Sequence, residues 1–304
     1  MLPFLCTKER NIIMKSKIKD RIYIICFLFV PMALLMLFSY YPLMKLIQLS
    51  FTDWNGMSRD LHYIGLKNYR DIFSQKELFM TFENNMAYVV TALIQQVAGL
   101  FLAILLNSNI KMKTTFRAIL FMPYIINGVA VAFMFNYMYD YSNSPVNYVL
   151  NLLGAESVHF ISSSYMTNFA LSFISFWKYV GWTMVIYIAA LQSIPGEVYE
   201  AARIDGAGFF QTVRFITLPN IKTMLEVSLL LSLNGALQVY FEPFLITKGG
   251  PNGRTATFIS KSLELAYSYS KYGKAAAMGV ILLVIILMLV TIQKVFIKGD
   301  RSYD

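Results

Sequence analysis

The sequence predicts an all-α integral membrane protein: six transmembrane helices with an amphipathic helix-turn-helix between the fourth and the fifth. Three observations carry that expectation. Of 304 residues, 57% are hydrophobic and 14% charged, against about 25% charged in ordinary soluble domains. Apolar runs of lipid-spanning length recur along the chain. The net charge of +9 is distributed between those runs and not gathered on one domain, so it orients a membrane protein and does not build a nucleic-acid surface.

The elements follow in order. Residues 1–21 form a basic tail, and 22–41 is an apolar-to-aromatic run whose helical length of about 30 Å matches the hydrocarbon thickness. It is longer than a signal-peptide core and no small-residue cleavage site follows, so it reads as a retained first span. Further spans are expected at 84–106, 116–139, 169–191, 223–246 and 275–297, together a permease-sized unit over 22–297, with a short tail at 298–304. Pro31, Pro123 and Pro243 are expected to kink their spans, which neighbouring helices tolerate. Six spans put both ends on one side. The tail, the turn with Lys111, Lys113 and Arg117, the loop with Arg203, Arg214 and Lys222, and the C-terminal end with Lys294, Lys298 and Arg301 carry fifteen basic residues against nine in the opposite loops. The positive-inside rule therefore places both termini in the cytoplasm. Cys6 and Cys26 offer neither a disulfide framework nor a zinc site. His62 and His159 stand alone, with no metal or catalytic role.

The stretch 192–222 interrupts the apolar pattern. Ser193 stands where an N-cap belongs, Pro195 suits a first helical position, and Glu197 and Glu200 favour the positive end of a helix dipole. Gly206 suits a left-handed C-cap, so 195–205 should be a short helix. Residues 207–217 repeat helical spacing through Phe209, Phe210, Val213 and Ile216, and Pro219 should stop or kink the chain. The exposed apolar stripe suits either a headgroup layer or a partner's groove.

The order of residues separates these two. Glu200-Ala201-Ala202, three residues, Gly206, nine residues, then Ile216-x-Leu218-Pro219 resembles the signature loop of binding-protein-dependent ABC importer permeases. Ile64-Gly65-Leu66-Lys67-Asn68-Tyr69 is similar to the G-L-x-N-Y element after the first span of their sugar-type members. Thr247-Lys248-Gly249-Gly250-Pro251 is similar to their T-x-G-G-P loop after the fifth. The wording of the signature loop looks most like the maltose-F-like, multiple-sugar branch. The resemblance implies half of a translocation pore for a sugar or oligosaccharide in a prokaryotic cell membrane. It also implies a second homologous permease, two ATPase subunits that carry ATP and Mg, and an extracytoplasmic sugar-binding protein. Glu197, Glu200, Ala201, Ala202, Asp205, Gly206, Ile216, Leu218 and Pro219 would then couple to the ATPase, and Thr247, Gly249, Gly250 and Pro251 would face the binding protein. No G-x-x-x-x-G-K-[ST] loop occurs, so this chain binds no nucleotide through such a loop and no cofactor is expected on it. Two other readings stay open. One is an importer permease for a non-sugar solute such as a glycerol-phosphate ester. The other is an ion-coupled transporter, for which Glu226 and Glu242 lie too near the ends of their span.

Polar residues inside a span are costly and mark candidate function. Asn234, Gln238 and Glu242 recur every four residues on the fifth span, beside Tyr240 and Phe241. Amides with aromatic surface suit a sugar, whose ring has polar edges and apolar faces. Trp177, Lys178, Tyr179, Gly181 and Trp182 sit near mid-depth of the fourth span, where the cation should seek Glu226, Glu242 or substrate. Tyr124 and Asn127 on the third span are further candidates. Ser228, Ser232 and Gly235, Gly99 and Ala103, and Ala275 and Gly279 read as small-residue helix-packing faces.

Overall fold

The computed structural model describes residues 23–108, 110–161 and 164–298; the basic tail with Cys6 and the last residues, including Arg301, lie outside the described residues. Among the described residues the regular elements are all helices, apart from one isolated antiparallel bridge between Thr52 and Tyr63. Helix α1 (Tyr23–Ser50) is followed by α2 (Lys67–Ser74), α3 (Lys76–Asn107), α4 (Lys113–Ile125), α5 (Gly128–Met138) and α6 (Pro145–Leu152). Then come α7 (Ser164–Gln192), α8 (Gly196–Ile204), α9 (Phe209–Thr212), α10 (Leu218–Leu237), α11 (Phe241–Leu245), α12 (Phe258–Tyr267) and α13 (Tyr272–Lys298).

Among the described residues five continuous helical stretches are long and apolar enough to cross a membrane, and a sixth is available if the pair α4 and α5 counts as one. That pair corrects the single third span expected at 116–139: its halves meet at 98°. Pro123 lies just before the break, Ile126 is extended, and Asn127 caps α5 by accepting from Val129 N–H at 2.8 Å. A local side-chain cap replaces the backbone hydrogen bonds that a continuous helix would have made.

Two prolines that could have broken helices do not. In α1 a π turn over Met36–Tyr40 precedes Pro42, and a π turn over Val213–Thr217 precedes Pro219. In each, the residue before the proline donates its N–H five residues back, Tyr41 to Met36 and Leu218 to Val213. The wider turn makes room for a ring that would otherwise press on the carbonyl four residues earlier. The chain from α9 through α10 therefore runs on into the fifth span, where a stop or kink at Pro219 was expected.

Helices α3 and α7 are the central pair. A Cβ on Gly99 would fall 2.6 Å from Thr183 Cγ2, and one on Gly181 only 1.8 Å from the Leu120 carbonyl oxygen, so these glycines set how closely α7 approaches α3 and α4. Three buried clusters pack along this axis: one joins α2, α12 and α13 to α3, one joins α3, α5 and α7, and one runs from Ala103 and Met184 to Ile194 and Ile221 at the signature-loop end. Buried Gln95 and half-buried Gln96 add what apolar packing cannot. Gln95 Nε2 donates to Thr183 Oγ1 at 2.8 Å, Gln96 Nε2 donates to Ser232 Oγ at 2.6 Å, and Gln96 Oε1 accepts from Ser228 Oγ at 2.9 Å and from the Tyr187 hydroxyl. The α10 serines thus do more than fill a small-residue face: they are cross-linked to α3.

The G-L-x-N-Y element closes the end of α1. Gly65 has φ of 59°, a left-handed conformation that glycine adopts at low cost. Asn68 Nδ2 donates to the carbonyls of Ser50 (2.9 Å) and Thr52 (2.7 Å), and the Tyr69 and Ser50 hydroxyls share a 2.6 Å hydrogen bond.

Candidate functional site

Halfway along α3 and α7 lies a cavity of about 330 Å³, walled also by α4, α10 and α11. Lys178 is fourteen residues from either end of Ser164–Gln192, about 21 Å of helix in each direction, so the cavity sits at mid-depth. Its two long walls obey one rule. Tyr88, Thr91, Ala92 and Gln95 on α3, and Ser175, Lys178, Tyr179 and Trp182 on α7, line it at i, i+3, i+4 and i+7, one face of a helix.

The third wall comes from a break. Helix α10 ends at Leu237, closed by Gln238 N–H donating to the Asn234 carbonyl at 3.2 Å, and the helix is interrupted over Gln238 to Tyr240 before α11 begins. This corrects the single stripe expected from Asn234 through Gln238 to Glu242, which required one uninterrupted helix. The break turns Gln238, Tyr240, Phe241 and Glu242 into the cavity. Asn234 is not among the lining residues: it faces α13 beside Leu230 and Ile286, and its Oδ1 accepts from Gln238 Nε2. Trp177 packs edge-on against Phe135 in the adjacent core at 5.3 Å, and Asn127 is occupied as the α5 cap. Tyr124 does line the cavity, stacked on Trp182 at 5.9 Å and edge-to-face with Tyr179 at 6.0 Å. Glu242 Oε1 accepts from Ser175 Oγ at 3.3 Å, and Lys178 Nζ lies 5.6 Å from the Tyr179 ring. Of the two acids open to Lys178, Glu242 is the one that shares its cavity. Tyr179 and Trp182, expected beside Lys178 at mid-depth, line the cavity, whereas Tyr88, Thr91, Gln95 and Ser175 were not singled out from the sequence. The signal was available in the i, i+3, i+4, i+7 recurrence of polar and aromatic residues on spans two and four.

Three asparagines hold the break and the loop beyond it. Asn85 Nδ2 donates to the carbonyls of Ala236 (3.0 Å) and Leu237 (3.3 Å), while its Oδ1 accepts from Phe258 N–H at 2.9 Å. Asn84 Nδ2 donates to the carbonyls of Gly253 (3.1 Å) and Ala256 (2.8 Å), and Asn168 Nδ2 to that of Arg254 (3.0 Å). Thr257 Oγ1 donates to the Val239 carbonyl at 2.7 Å. The Thr247-to-Pro251 loop is folded on itself: Thr247 Oγ1 donates to the Pro243 carbonyl, and Thr255 Oγ1 donates to the Gly250 carbonyl at 2.7 Å. Gly249 has φ of 75° and a Cβ there would crowd Ala256 at 3.2 Å, whereas Pro251 is exposed.

At the other end of α7 the signature loop has the expected helix and C-cap. Helix α8 starts one residue later than expected, with Pro195 as the N-cap residue and no side-chain cap. Ser193, expected to cap it, instead donates to the Ala190 carbonyl at 2.7 Å and so finishes α7. Gly206 has φ of 77°, and Ala207 N–H donates to the Ala202 carbonyl at 2.9 Å, closing the helix end. The segment expected as a second helix over 207–217 is one α-helical turn followed by the π turn. Glu197, Glu200, Ala201, Asp205 and Gly206 are exposed, whereas Ala202 and Thr217 are buried. Ile204 at the end of α8 and Phe210 in α9 are 86% and 84% exposed, so α8 is anchored through Ala202 on one side and presents Glu197, Glu200 and Arg203 with these apolar side chains on the other. Among the described residues no three His, Cys, Asp or Glu side chains gather as a metal site.

With this geometry in hand, residues 95–300 match the family described as binding-protein-dependent transport system inner membrane component. The chain belongs to that family. It is 34% identical over 92% of its length, and 98% of the relative's, to the probable ABC transporter permease protein YurN of Bacillus subtilis. It is 28% identical over 91% of its length, and 95% of the relative's, to the multiple sugar-binding transport system permease protein MsmF of Streptococcus mutans. Among solved structures it superposes with a TM-score of 0.80 and 25% identity, over 91% of this chain and 94% of the other, on a chain of a bacterial alginate ABC transporter in complex with an alginate pentasaccharide-bound periplasmic protein. As an ABC importer permease this chain is a multi-pass inner-membrane subunit and not itself the enzyme; ATP hydrolysis belongs to a separate subunit.

Proposed function

We propose that this permease imports a sugar or oligosaccharide, that its mid-depth cavity is the part of the path through which the sugar passes, and that α8 is the knob through which an ATPase moves it. The carrying observation is the cavity's chemistry: Tyr124, Tyr179 and Trp182 offer ring faces while Gln95, Gln238, Lys178 and Glu242 offer polar groups, the combination a pyranose requires. The similarity to a multiple-sugar permease supports the same substrate class. In this reading the unit over 22–297 pairs with a second homologous permease and two ATPase subunits holding ATP and Mg, with both termini and the signature loop cytoplasmic. The exposed face of α8, with Glu197, Glu200, Ala201 and Asp205, enters a groove on the ATPase, and Ala202 faces inward to hold it. Gly206, Ile216, Leu218 and Pro219 carry the motion into α10. The Thr247-to-Pro251 loop receives the loaded binding protein. Asn234 serves by bracing Gln238.

The test is ATP-driven uptake in proteoliposomes holding the complete importer, challenged with di- to pentasaccharides and, as controls, amino acids and glycerol phosphate. Saccharide uptake that falls at least tenfold in Tyr124→Ala or Trp182→Ala, with the complex still assembled, is expected. Uptake of a control solute with no saccharide uptake would overturn the proposal.

A further inference from the structure

Lys178 and Glu242 are the charged side chains lining the cavity among the described residues, and each is 8% exposed. They approach from different helices without a direct ion-pair contact, although each side chain lines the same cavity. Beside them Tyr88 is 2% exposed, and its hydroxyl has no hydrogen-bond partner in the protein. Two buried charges that do not touch, and a buried phenol left unsatisfied, are each unfavourable as they stand. Residues so placed are complete only when something polar fills the gap between them.

The chemistry of the three groups selects the filler. An ammonium only donates, a carboxylate only accepts, and a phenol does either. A hydroxyl can accept from Lys178 and donate to Glu242 at once, and two neighbouring ring hydroxyls can also engage Tyr88. A uronate carboxylate could accept from Lys178 but has no proton for Glu242 and repels it. An amino sugar satisfies Glu242 but meets Lys178.

We infer that Lys178, Glu242 and Tyr88 form a bridging site for the hydroxyls of an uncharged pyranose, and that Glu242 is the residue that turns acidic sugars away. This rests on reading the cavity as the sugar path, and it adds which class of sugar passes. The carboxylate's oxygen already accepting from Ser175 is matched by an amide oxygen, so Glu242→Gln removes the charge while keeping that bond.

The experiment measures equilibrium binding to the purified, nucleotide-free complete complex through tryptophan fluorescence, since Trp182 lines the cavity. Maltotriose, cellotriose and mannotriose are the neutral probes and trigalacturonate the acidic one. The partner permease is the same throughout, so differences between variants belong to this chain. Expected are a neutral probe binding at least about tenfold more tightly than trigalacturonate in the wild type, and a narrowing of that ratio by about tenfold or more in Glu242→Gln. Restoring neutrality with the Lys178→Gln, Glu242→Gln pair should move the ratio back toward the neutral probe. Tyr88→Phe should weaken neutral binding several-fold with trigalacturonate unchanged. Co-purification of all subunits confirms that each variant assembles. An unchanged ratio in Glu242→Gln, with neutral binding intact, would overturn the charge selection and leave the sugar path standing. No binding of any saccharide to the wild type would overturn the sugar path itself.

Discussion

Replacing Asn85 by alanine should be among the most damaging single changes in this chain. The side chain is 2% exposed and makes three hydrogen bonds, two donated to the carbonyls of Ala236 and Leu237 and one accepted from Phe258 N–H. All three partners are buried, so water cannot take over. An orphaned buried polar group costs about 1–3 kcal/mol. Counting the Phe258 amide as one and the two carbonyls, which share one NH2, as another gives about 2–6 kcal/mol. At about 2–4 °C per kcal/mol, the central value corresponds to a melting temperature lowered by roughly 8–16 °C. Asn85→Asp should be no better, because it keeps the acceptor but sets carboxylate oxygens against two carbonyls. The assay is thermal unfolding of the detergent-solubilised complex, read beside saccharide binding, since the same bonds hold the break that brings Gln238 and Glu242 into the cavity. A melting temperature within 2 °C of wild type with unchanged binding would refute the claim that the asparagine builds the break.

Gly181→Ala should force α4 off α7: a Cβ would lie 1.8 Å from the Leu120 carbonyl oxygen, which must retreat by about 1.5 Å to reach ordinary contact. A loss of about 1–3 kcal/mol and weakened saccharide binding through the Tyr124–Trp182 stack are expected; normal stability and binding would show that the two helices slide freely. Gly206 has no neighbour within 4 Å of a Cβ, so Gly206→Val should cost only the left-handed backbone penalty, about 1–2 kcal/mol. It should separate ATP hydrolysis from uptake, with Gly206→Asn milder; equal coupling in both variants would remove the cap from the mechanism.

Membrane class, the helix over α8 and its glycine cap were legible because each has a local cause: apolar length, dipole-favourable acids and a position that demands positive φ. The C-terminal end of α1 was not, since apolar periodicity stops at Tyr41 while the helix continues to Ser50 on contacts made with α13. The break after Leu237 was half legible. Pro243 marked a kink, since its ring presses on the Val239 carbonyl four residues earlier, but not a full break, because the groups that donate to the freed carbonyls, Asn85 and Thr257, are distant in sequence. The same holds for Lys178: a lone cation in a span calls for an acid, but the choice of Glu242 over Glu226 depends on that break. Pro219 was misleading because the π turn that accommodates it has no strong residue signature.

The central claim, that α8 is a rigid plug seated in a motor subunit, is tested most directly by cysteine crosslinking at adjacent residues. Ala201 is exposed and Ala202 buried beneath it. In the assembled importer, Ala201→Cys should crosslink to cysteines lining a groove of the ATPase subunit, and Ala202→Cys should not. Labelling of Ala201→Cys from the lipid phase or from the extracytoplasmic side, with no crosslink to the ATPase, would contradict the account.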